Sequence, residues 1–159
     1  MLIKVLFVCH GNICRSPMAE FVFKDMVKRR GISEMFHIAS AATSTEELGS
    51  VVHHGTRKVL NVLGISTEGK RAVQMTKADY REYDYIIAMD QRNVININRI
   101  IGNDSKKKIQ RLMDLTPKGG DIADPWYTDD FEKTYEDIYE GCEALLRFLC
   151  HKYHISMGE

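Results

Sequence analysis

The chain has 159 residues, which suggests one domain that is long enough to bury a core without disulfide cross-links. Its apolar fraction of 44% and charged fraction of 28% are ordinary for a soluble globular protein, and they exclude a disordered chain, a collagen-like chain and a membrane span. The 22 basic and 22 acidic residues cancel, and a zero net charge argues against a general nucleic-acid binder.

Cysteine usage indicates the compartment and the kind of site to expect. The chain has four cysteines: Cys9, Cys14, Cys142 and Cys150. They are too few for a disulfide scaffold. The chain has no Cys-x-x-Cys pair, the pattern that would indicate a zinc site. The apolar run at residues 2–9 is short and carries Lys4, so it does not resemble a secretory signal. The sequence therefore predicts a reduced, cytoplasmic protein without a bound metal.

Strands and helices are predicted to alternate from the N-terminus onward. Residues 2–8 are β-branched and apolar, as in a buried strand of a parallel sheet. A helix is expected over residues 18–30, after a Ser-Pro start and before a glycine. A second short strand is predicted at residues 35–39, a polar loop at 40–49 and a helix at 53–63.

The second half of the chain continues the alternation. Thr76 with Asp79 resembles the start of a helix, and residues 85–89 form a third buried strand. Asp90 is expected to cap a helix that runs to Ile101. A weaker fourth strand is predicted at residues 109–115.

The last part of the chain combines a loop with the clearest helix. The loop spans residues 116–130, and the helix that follows carries apolar residues every three or four positions. This stripe comprises Phe131, Tyr135, Ile138, Cys142, Leu145, Leu149 and Tyr153. Strands that alternate with helices imply a parallel sheet covered on both faces, so we expect one α/β domain over residues 1–159.

The segment between the first strand and the first helix carries the strongest chemical signal. Seven residues, from Cys9 to Arg15, lie where free backbone N–H groups and the helix dipole would converge on an anion. The Arg15 guanidinium can grip two oxygens of a tetrahedral anion, and the same field favours a Cys9 thiolate. A thiolate beneath a bound phosphate is a nucleophile aimed at phosphorus. The alternative, that Cys9 is only a small buried residue, leaves Gly11 and Asn12 unexplained.

These residues resemble the low-molecular-weight protein tyrosine phosphatase family. The match comprises Val-Cys-His-Gly-Asn-Ile-Cys-Arg-Ser-Pro-Met-Ala-Glu at residues 8–20 and continues at residues 40–43, 84–90 and 124–127. It spans nearly the whole chain in the family's order. The resemblance implies a three-layer α/β/α fold with a four-stranded parallel sheet and a phosphate-binding loop after the first strand.

The resemblance also implies an enzymatic reaction without a cofactor. Cys9 would attack the phosphorus of phosphotyrosine or of small aryl phosphates to form a phosphocysteine, and Asp124 would be the general acid and then the base. The Asp-Pro pair at Asp124 would otherwise indicate only a turn. The residues assigned to phosphate binding are His10, Gly11, Asn12, Ile13, Cys14, Arg15 and Ser16. Phosphotyrosine proteins would be the partners, and inorganic phosphate and other oxyanions the inhibitors.

Supporting roles follow from the same resemblance. Asn12 would fix the shape of the loop, Ser16 would donate a hydrogen bond to the Cys9 thiolate, and Ser40 would bond the Asn12 side chain. Cys14 could form a reversible disulfide with Cys9. The family has a histidine in this network where the present chain appears to carry Lys70.

Residues expected at the rim of the substrate cleft differ from common family members. His10 replaces a frequent leucine, Glu46 replaces an aromatic residue, and Trp126 with Tyr127 follow the acid. Glu46 could shift peptide preference or be a solvated loop residue. Ile13 favours phosphotyrosine over phosphoarginine, because phosphoarginine-hydrolysing relatives tend to have threonine there.

Three other functions match parts of the sequence. An arsenate reductase of the same fold needs further cysteines in mid-chain, and none lies between Cys14 and Cys142. The Gly-x4-Gly-Lys pattern at residues 64–70 resembles a nucleotide-binding loop, but Arg71 stands where a hydroxyl residue should bind Mg²⁺. A phosphotyrosine-binding module without activity would not need a nucleophile and an acid together.

Overall fold

A four-stranded parallel sheet forms the centre of the molecule, and the computed structural model describes residues 1–156. The strands are β1 (Ile3–Cys9), β2 (Phe36–Ala42), β3 (Tyr85–Ala88) and β4 (Ile109–Arg111). They lie in the order β2-β1-β3-β4, and all three pairings are parallel. The central strand β1 therefore has a neighbour on each side and ends in the middle of the sheet edge that carries the site.

Helices cover both faces of this sheet. They are α1 (Arg15–Arg29), α2 (His54–Val62), α3 (Lys77–Glu82), α4 (Gln91–Ile101), α5 (Pro125–Thr128) and α6 (Phe131–Lys152). Val5 and Phe7 of β1 face the core built with α1 and α6, whereas Leu6 and Val8 face the core that includes Ile97 of α4. Because both faces are buried, the strand is apolar along its length. The predicted three-layer α/β/α fold is confirmed.

Two strands, β2 and β4, differ from their predicted bounds by more than one residue. β2 extends to Ala42 rather than ending at Ala39, because its small residues pair in register with β1 as far as Cys9. The predicted strand 109–115 is shorter, since β4 ends at Arg111 and a 3-10 helix follows over Leu112–Leu115. A hydrogen bond spans this turn, since the Arg111 Nε donates to Asp114 Oδ2 at 2.9 Å.

Two helix starts beside the site differ from the prediction, and a third agrees with it. α1 begins at Arg15 instead of Met18, so its first turn is part of the anion loop. The predicted loop 116–130 contains the one-turn helix α5, whose N-terminal N–H groups are capped by Asp124. The predicted cap of α4 by Asp90 is confirmed by a hydrogen bond from Asn93 N–H to Asp90 Oδ1 at 2.8 Å.

Within residues 1–156, no helix is both long enough and apolar enough to cross a membrane. The longest helix, α6, instead buries one side against α1 and the 3-10 helix Leu112–Leu115. Of its predicted stripe, Tyr135 and Tyr153 are only partly buried, and the other positions are buried in the core.

Candidate active site

The loop after β1 is folded around the sulfur of Cys9. Asn12 has a φ of 59°, a left-handed conformation that asparagine tolerates better than most residues, and this turns the chain back toward Cys9. The backbone N–H of Asn12 points at Cys9 Sγ from 3.3 Å. The Ser16 hydroxyl lies 3.0 Å from the same sulfur. Both donors would stabilise a negative charge on sulfur.

Asn12 connects the nucleophile to the neighbouring strand. Its Nδ2 donates to Ser16 Oγ at 2.7 Å and to Ser40 Oγ at 3.0 Å, and its Oδ1 accepts from Val73 N–H at 3.2 Å. Because Asn12 is 1% exposed and its bonds to Ser16 and Ser40 are buried, the loop is held in one shape. The structure places Asn12, Ser16 and Ser40 together, as the sequence predicted.

A buried carboxylate that sequence analysis gave no role lies at the end of this network. Glu20 is 4% exposed, and its Oε1 accepts from the Ser40 hydroxyl at 2.5 Å. Its other oxygen meets Lys24 Nζ at 2.5 Å. Lys70 Nζ lies 3.8 Å from Glu20 and donates to the Ser40 carbonyl at 2.9 Å. Burial lowers the pKa of Lys70, and the Glu20 carboxylate opposes that shift.

Arg15 lies under the loop, where it is 2% exposed. Its Nη1 donates to Asp90 Oδ2 at 2.7 Å and to the Ile122 carbonyl at 2.9 Å, and its Nη2 lies 3.3 Å from Asp124 Oδ2. Burial alone would lower the pKa of Arg15, but Cys9 and the two aspartates raise it, so the guanidinium is charged. Asp90, which the sequence predicted only as a helix cap, also orients this arginine.

The position of Asp124 is compatible with both interpretations of the sequence, a turn residue and a general acid. Its Oδ1 accepts the Trp126 N–H at 3.0 Å and so caps α5, and its Oδ2 faces Arg15. The side chain is 25% exposed, which leaves it open to the cleft above Cys9. One carboxylate can therefore shape the turn and reach a substrate oxygen.

An open cleft lies above Cys9. Its lining includes the exposed aromatic residues Trp126 and Tyr127 and the acidic residues Glu46 and Glu47. His10 Nε2 lies 3.1 Å from Glu46 Oε2, so the predicted rim residues contact each other. Sequence analysis missed Glu47, whose Cγ lies 3.5 Å from the position that a Cβ on Gly11 would occupy.

Cys14 is the other thiol of the loop. It is 5% exposed and lines the same cleft as Cys9, and both cysteines are free. Burial raises the pKa of Cys14 to about 12, and negative charge at Cys9 and Asp124 adds to the shift. Cys142 and Cys150 are buried in α6, outside the cleft.

Comparison with known proteins agrees with this geometry. The sequence profile of the low molecular weight phosphotyrosine protein phosphatase family matches residues 4–154. The low molecular weight protein-tyrosine-phosphatase YfkJ of Bacillus subtilis is 40% identical over 147 residues, which cover 91% of this chain and 94% of the relative. PtpA of Staphylococcus haemolyticus, with the same descriptive name, is 37% identical over 157 residues, 99% of this chain and 100% of the relative.

Solved structures give the same result. The crystal structure of YfkJ superimposes with a TM-score of 0.92 at 39% identity, covering 96% of this chain and 97% of that chain. SP-PTP, a low molecular weight protein tyrosine phosphatase from Streptococcus pyogenes, gives a TM-score of 0.85 at 42% identity with the same coverage. The chain therefore belongs to the low molecular weight phosphotyrosine protein phosphatase family, a class of enzymes that hydrolyse phosphate monoesters.

Proposed function

We propose that residues 1–159 form a single catalytic domain that hydrolyses phosphotyrosine in proteins through a phosphocysteine at Cys9. The observation that carries this proposal is the sulfur of Cys9, which accepts hydrogen bonds at the base of an anion loop that also holds Arg15. A cysteine that only filled space would not need a hydroxyl, an amide and a buried guanidinium around it.

In the first step the Cys9 thiolate attacks phosphorus. The S–P bond forms while the bond from phosphorus to the phenolic oxygen breaks, and protonated Asp124 gives its proton to the leaving oxygen. Arg15 and the inward N–H groups of the loop neutralise the charge on the other three phosphoryl oxygens. The 25% exposure of the Asp124 side chain supports this role, because the acid must reach the substrate from the cleft.

In the second step a water molecule attacks the phosphocysteine. Asp124, now a carboxylate, removes a proton from the water, and the S–P bond breaks to release inorganic phosphate and the thiolate. The Ser16 hydroxyl and the Asn12 N–H stabilise the departing thiolate from 3.0 Å and 3.3 Å. Inorganic phosphate and related oxyanions should therefore compete with substrate for the loop.

The cleft supports an aryl phosphate as the substrate. The exposed rings of Trp126 and Tyr127 can cover one side of a phenyl group, and buried Ile13 contributes an apolar surface near its base. Protein-bound phosphotyrosine fits an open cleft, since the peptide can lie outside it. We also place the protein in the cytoplasm, because a cysteine nucleophile must stay reduced.

Redox control is a further part of the proposal. A peroxide would oxidise the Cys9 thiolate to a sulfenic acid, and Cys14 would then displace water from it to form a disulfide. Because the pKa of Cys14 is raised to about 12, we expect the disulfide to close slowly at neutral pH and faster as the pH rises. Mass analysis of peptides from peroxide-treated protein would detect the Cys9–Cys14 link.

A metal-free assay tests the catalytic proposal. Phosphotyrosine, phosphoserine and phosphoarginine are offered side by side in excess chelator, and released phosphate is measured. We expect turnover of phosphotyrosine that is lost in Cys9→Ser and retained in Cys150→Ser, whose thiol lies in α6. Activity in Cys9→Ser, or a clear preference for phosphoarginine, would contradict the proposal.

A further inference from the structure

His53, the residue that precedes α2, lies between the anion loop and the segment that carries Asp124. Its backbone N–H donates to the Ile13 carbonyl at 2.8 Å. One turn further on, the Thr56 hydroxyl donates to the Cys14 carbonyl at 3.1 Å. The start of α2 is therefore fixed to two carbonyls of the anion loop.

The imidazole of His53 contacts two aromatic residues that follow Asp124 in sequence. It stacks on the Phe131 ring with centroids 5.0 Å apart and planes 16° apart. The Trp126 ring meets it edge-on at 5.7 Å and 79°. The backbone N–H of Trp126 is the donor that holds Asp124 Oδ1, and Phe131 is the first residue of α6. Segment 124–131 thus contacts the His53 ring near both of its ends.

There is little room for this segment to move toward α2. A Cβ on Gly55, two residues after His53, would lie 2.5 Å from the Phe131 ring. The His53 ring is itself fixed, because its Nδ1 accepts the Gly55 N–H at 3.0 Å and caps α2. Because the His53 ring is held by α2 and packs against segment 124–131, it can fix the position of that segment relative to the anion loop.

We propose that His53 is a positioning residue for catalysis, whose ring sets the position of the Asp124 segment relative to the anion loop. This inference rests on the proposed role of Asp124 as the general acid. His53 does not itself line the cleft, so its ring acts through its contacts with Trp126 and Phe131. A displacement of the acid by about 1 Å can lower the rate by up to roughly a hundredfold. A contact that fixes the Asp124 segment can therefore have a large effect on catalysis.

The protonation state of His53 supports the arrangement. Nδ1 can accept the Gly55 N–H only when that nitrogen carries no proton. Burial lowers the pKa of His53, with His54 and Arg57 of α2 adding to the shift, while Asp129 and Glu47 oppose it. The ring is therefore neutral at neutral pH.

Two substitutions separate the ring from the cap. His53→Asn keeps a side chain that caps helices well but removes the ring, whereas His53→Phe keeps a ring but removes the acceptor. Phenyl phosphate, with a poor leaving group, needs the acid more than para-nitrophenyl phosphate does. We expect kcat/KM of His53→Asn to fall roughly ten- to a hundredfold on phenyl phosphate and much less on para-nitrophenyl phosphate. His53→Phe should stay close to wild type on both.

Three further measurements complete the test. Inhibition by inorganic phosphate should be unchanged in His53→Asn, because the anion loop is intact. His151→Asn is the matched control and should behave as wild type, since His151 is exposed on α6. In an Asp124→Asn background, His53→Asn should cause no further loss on phenyl phosphate. Thermal unfolding checks that each variant is folded. If His53→Asn does not fold, His53→Phe still tests the role of the ring.

Equal losses on the two substrates, additive losses with Asp124→Asn, or a His53→Phe defect as large as that of His53→Asn would overturn the inference. Failure of the proposed function itself is distinguishable. In that case wild type would not hydrolyse phenyl phosphate, or Asp124→Asn alone would leave its hydrolysis unchanged.

Discussion

At the scale of single residues, the site uses each aspartate twice. Asp90 and Asp124 each cap a helix with one oxygen and meet Arg15 with the other. A side chain held at both oxygens has few rotamers to choose from, so the acid and the guanidinium are fixed before a substrate arrives. The bonds from Arg15 to Asp90 and Asp124 would have to lengthen when the Arg15 guanidinium binds a phosphate.

Substitution of Asp124 tests its role in proton transfer. Asp124→Asn retains a cap for α5 but cannot donate a carboxyl proton, so kcat/KM on phenyl phosphate should fall by about 10²–10⁴-fold. Steady-state rates on a series of phenols would show a steeper dependence on the leaving group than in wild type. An unchanged slope would remove Asp124 from the mechanism.

Ser16 should matter most in the second step. Ser16→Ala deletes the hydroxyl that lies 3.0 Å from Cys9 Sγ, and hydrogen bonds to charged groups contribute about 1.5–3 kcal/mol. Breakdown of the phosphocysteine should therefore slow by roughly ten- to a hundredfold. Rapid mixing with para-nitrophenyl phosphate would show a burst of nitrophenol followed by a slow phase, whereas a proportional loss of both phases would contradict this role.

Residue types in the sequence reveal some of these roles and not others. The Cys9–Arg15 pattern was recognisable from its place between a strand and a helix, and Asp124 from the family resemblance. Glu20, Glu47 and His53 were not, because their partners are distant in sequence and become neighbours only when the sheet forms.

At the scale of elements, two glycines allow helices to approach. A Cβ on Gly141 of α6 would lie 2.5 Å from Leu112, and one on Gly55 of α2 would lie 2.5 Å from Phe131. The first contact secures α6 against the 3-10 helix that follows β4, and the second secures it beside the site. The sequence predicted both helices but not this packing. A glycine in a helical segment does not indicate which residue of another element will pack against it.

These glycines give a matched pair of variants. Alanine normally favours a helix over glycine by about 1 kcal/mol, but overpacking here should reverse the sign and destabilise each protein by about 1–3 kcal/mol. Urea unfolding would measure the loss. We expect Gly141→Ala to keep normal kcat/KM and Gly55→Ala to lose activity on phenyl phosphate as well. Two stabilised variants would refute the packing argument.

At the scale of the whole molecule, the zero net charge conceals opposite segments. Residues 1–30 contain six basic and two acidic residues, while residues 119–140 contain eight acidic residues and one lysine. The fold brings these segments together at the site, where Arg15 meets Asp124. The zero net charge of the whole chain is therefore compatible with a site that holds a single phosphate.

Acid should destabilise the fold in two stages. The lowered pKa of His53 means that the unfolded chain gains a proton near pH 6.5 that the folded chain resists, so stability falls as the pH drops below that value. The hydrogen bond from Arg111 lowers the pKa of Asp114, and that contribution, present above pH 3.8, is lost as the pH falls further. Urea unfolding across this range should show both declines, and His53→Asn should lack the first. Stability that rises on acidification would contradict both assignments.

The central claim is a covalent phosphocysteine at Cys9, and acid quenching followed by peptide mass analysis tests it most directly. Wild-type or Ser16→Ala protein is mixed with para-nitrophenyl phosphate, quenched within the first turnover and digested. We predict one added phosphoryl group on the peptide that contains Cys9, and none in Cys9→Ser. A phosphoryl group on another residue, or none during active turnover, would contradict the mechanism.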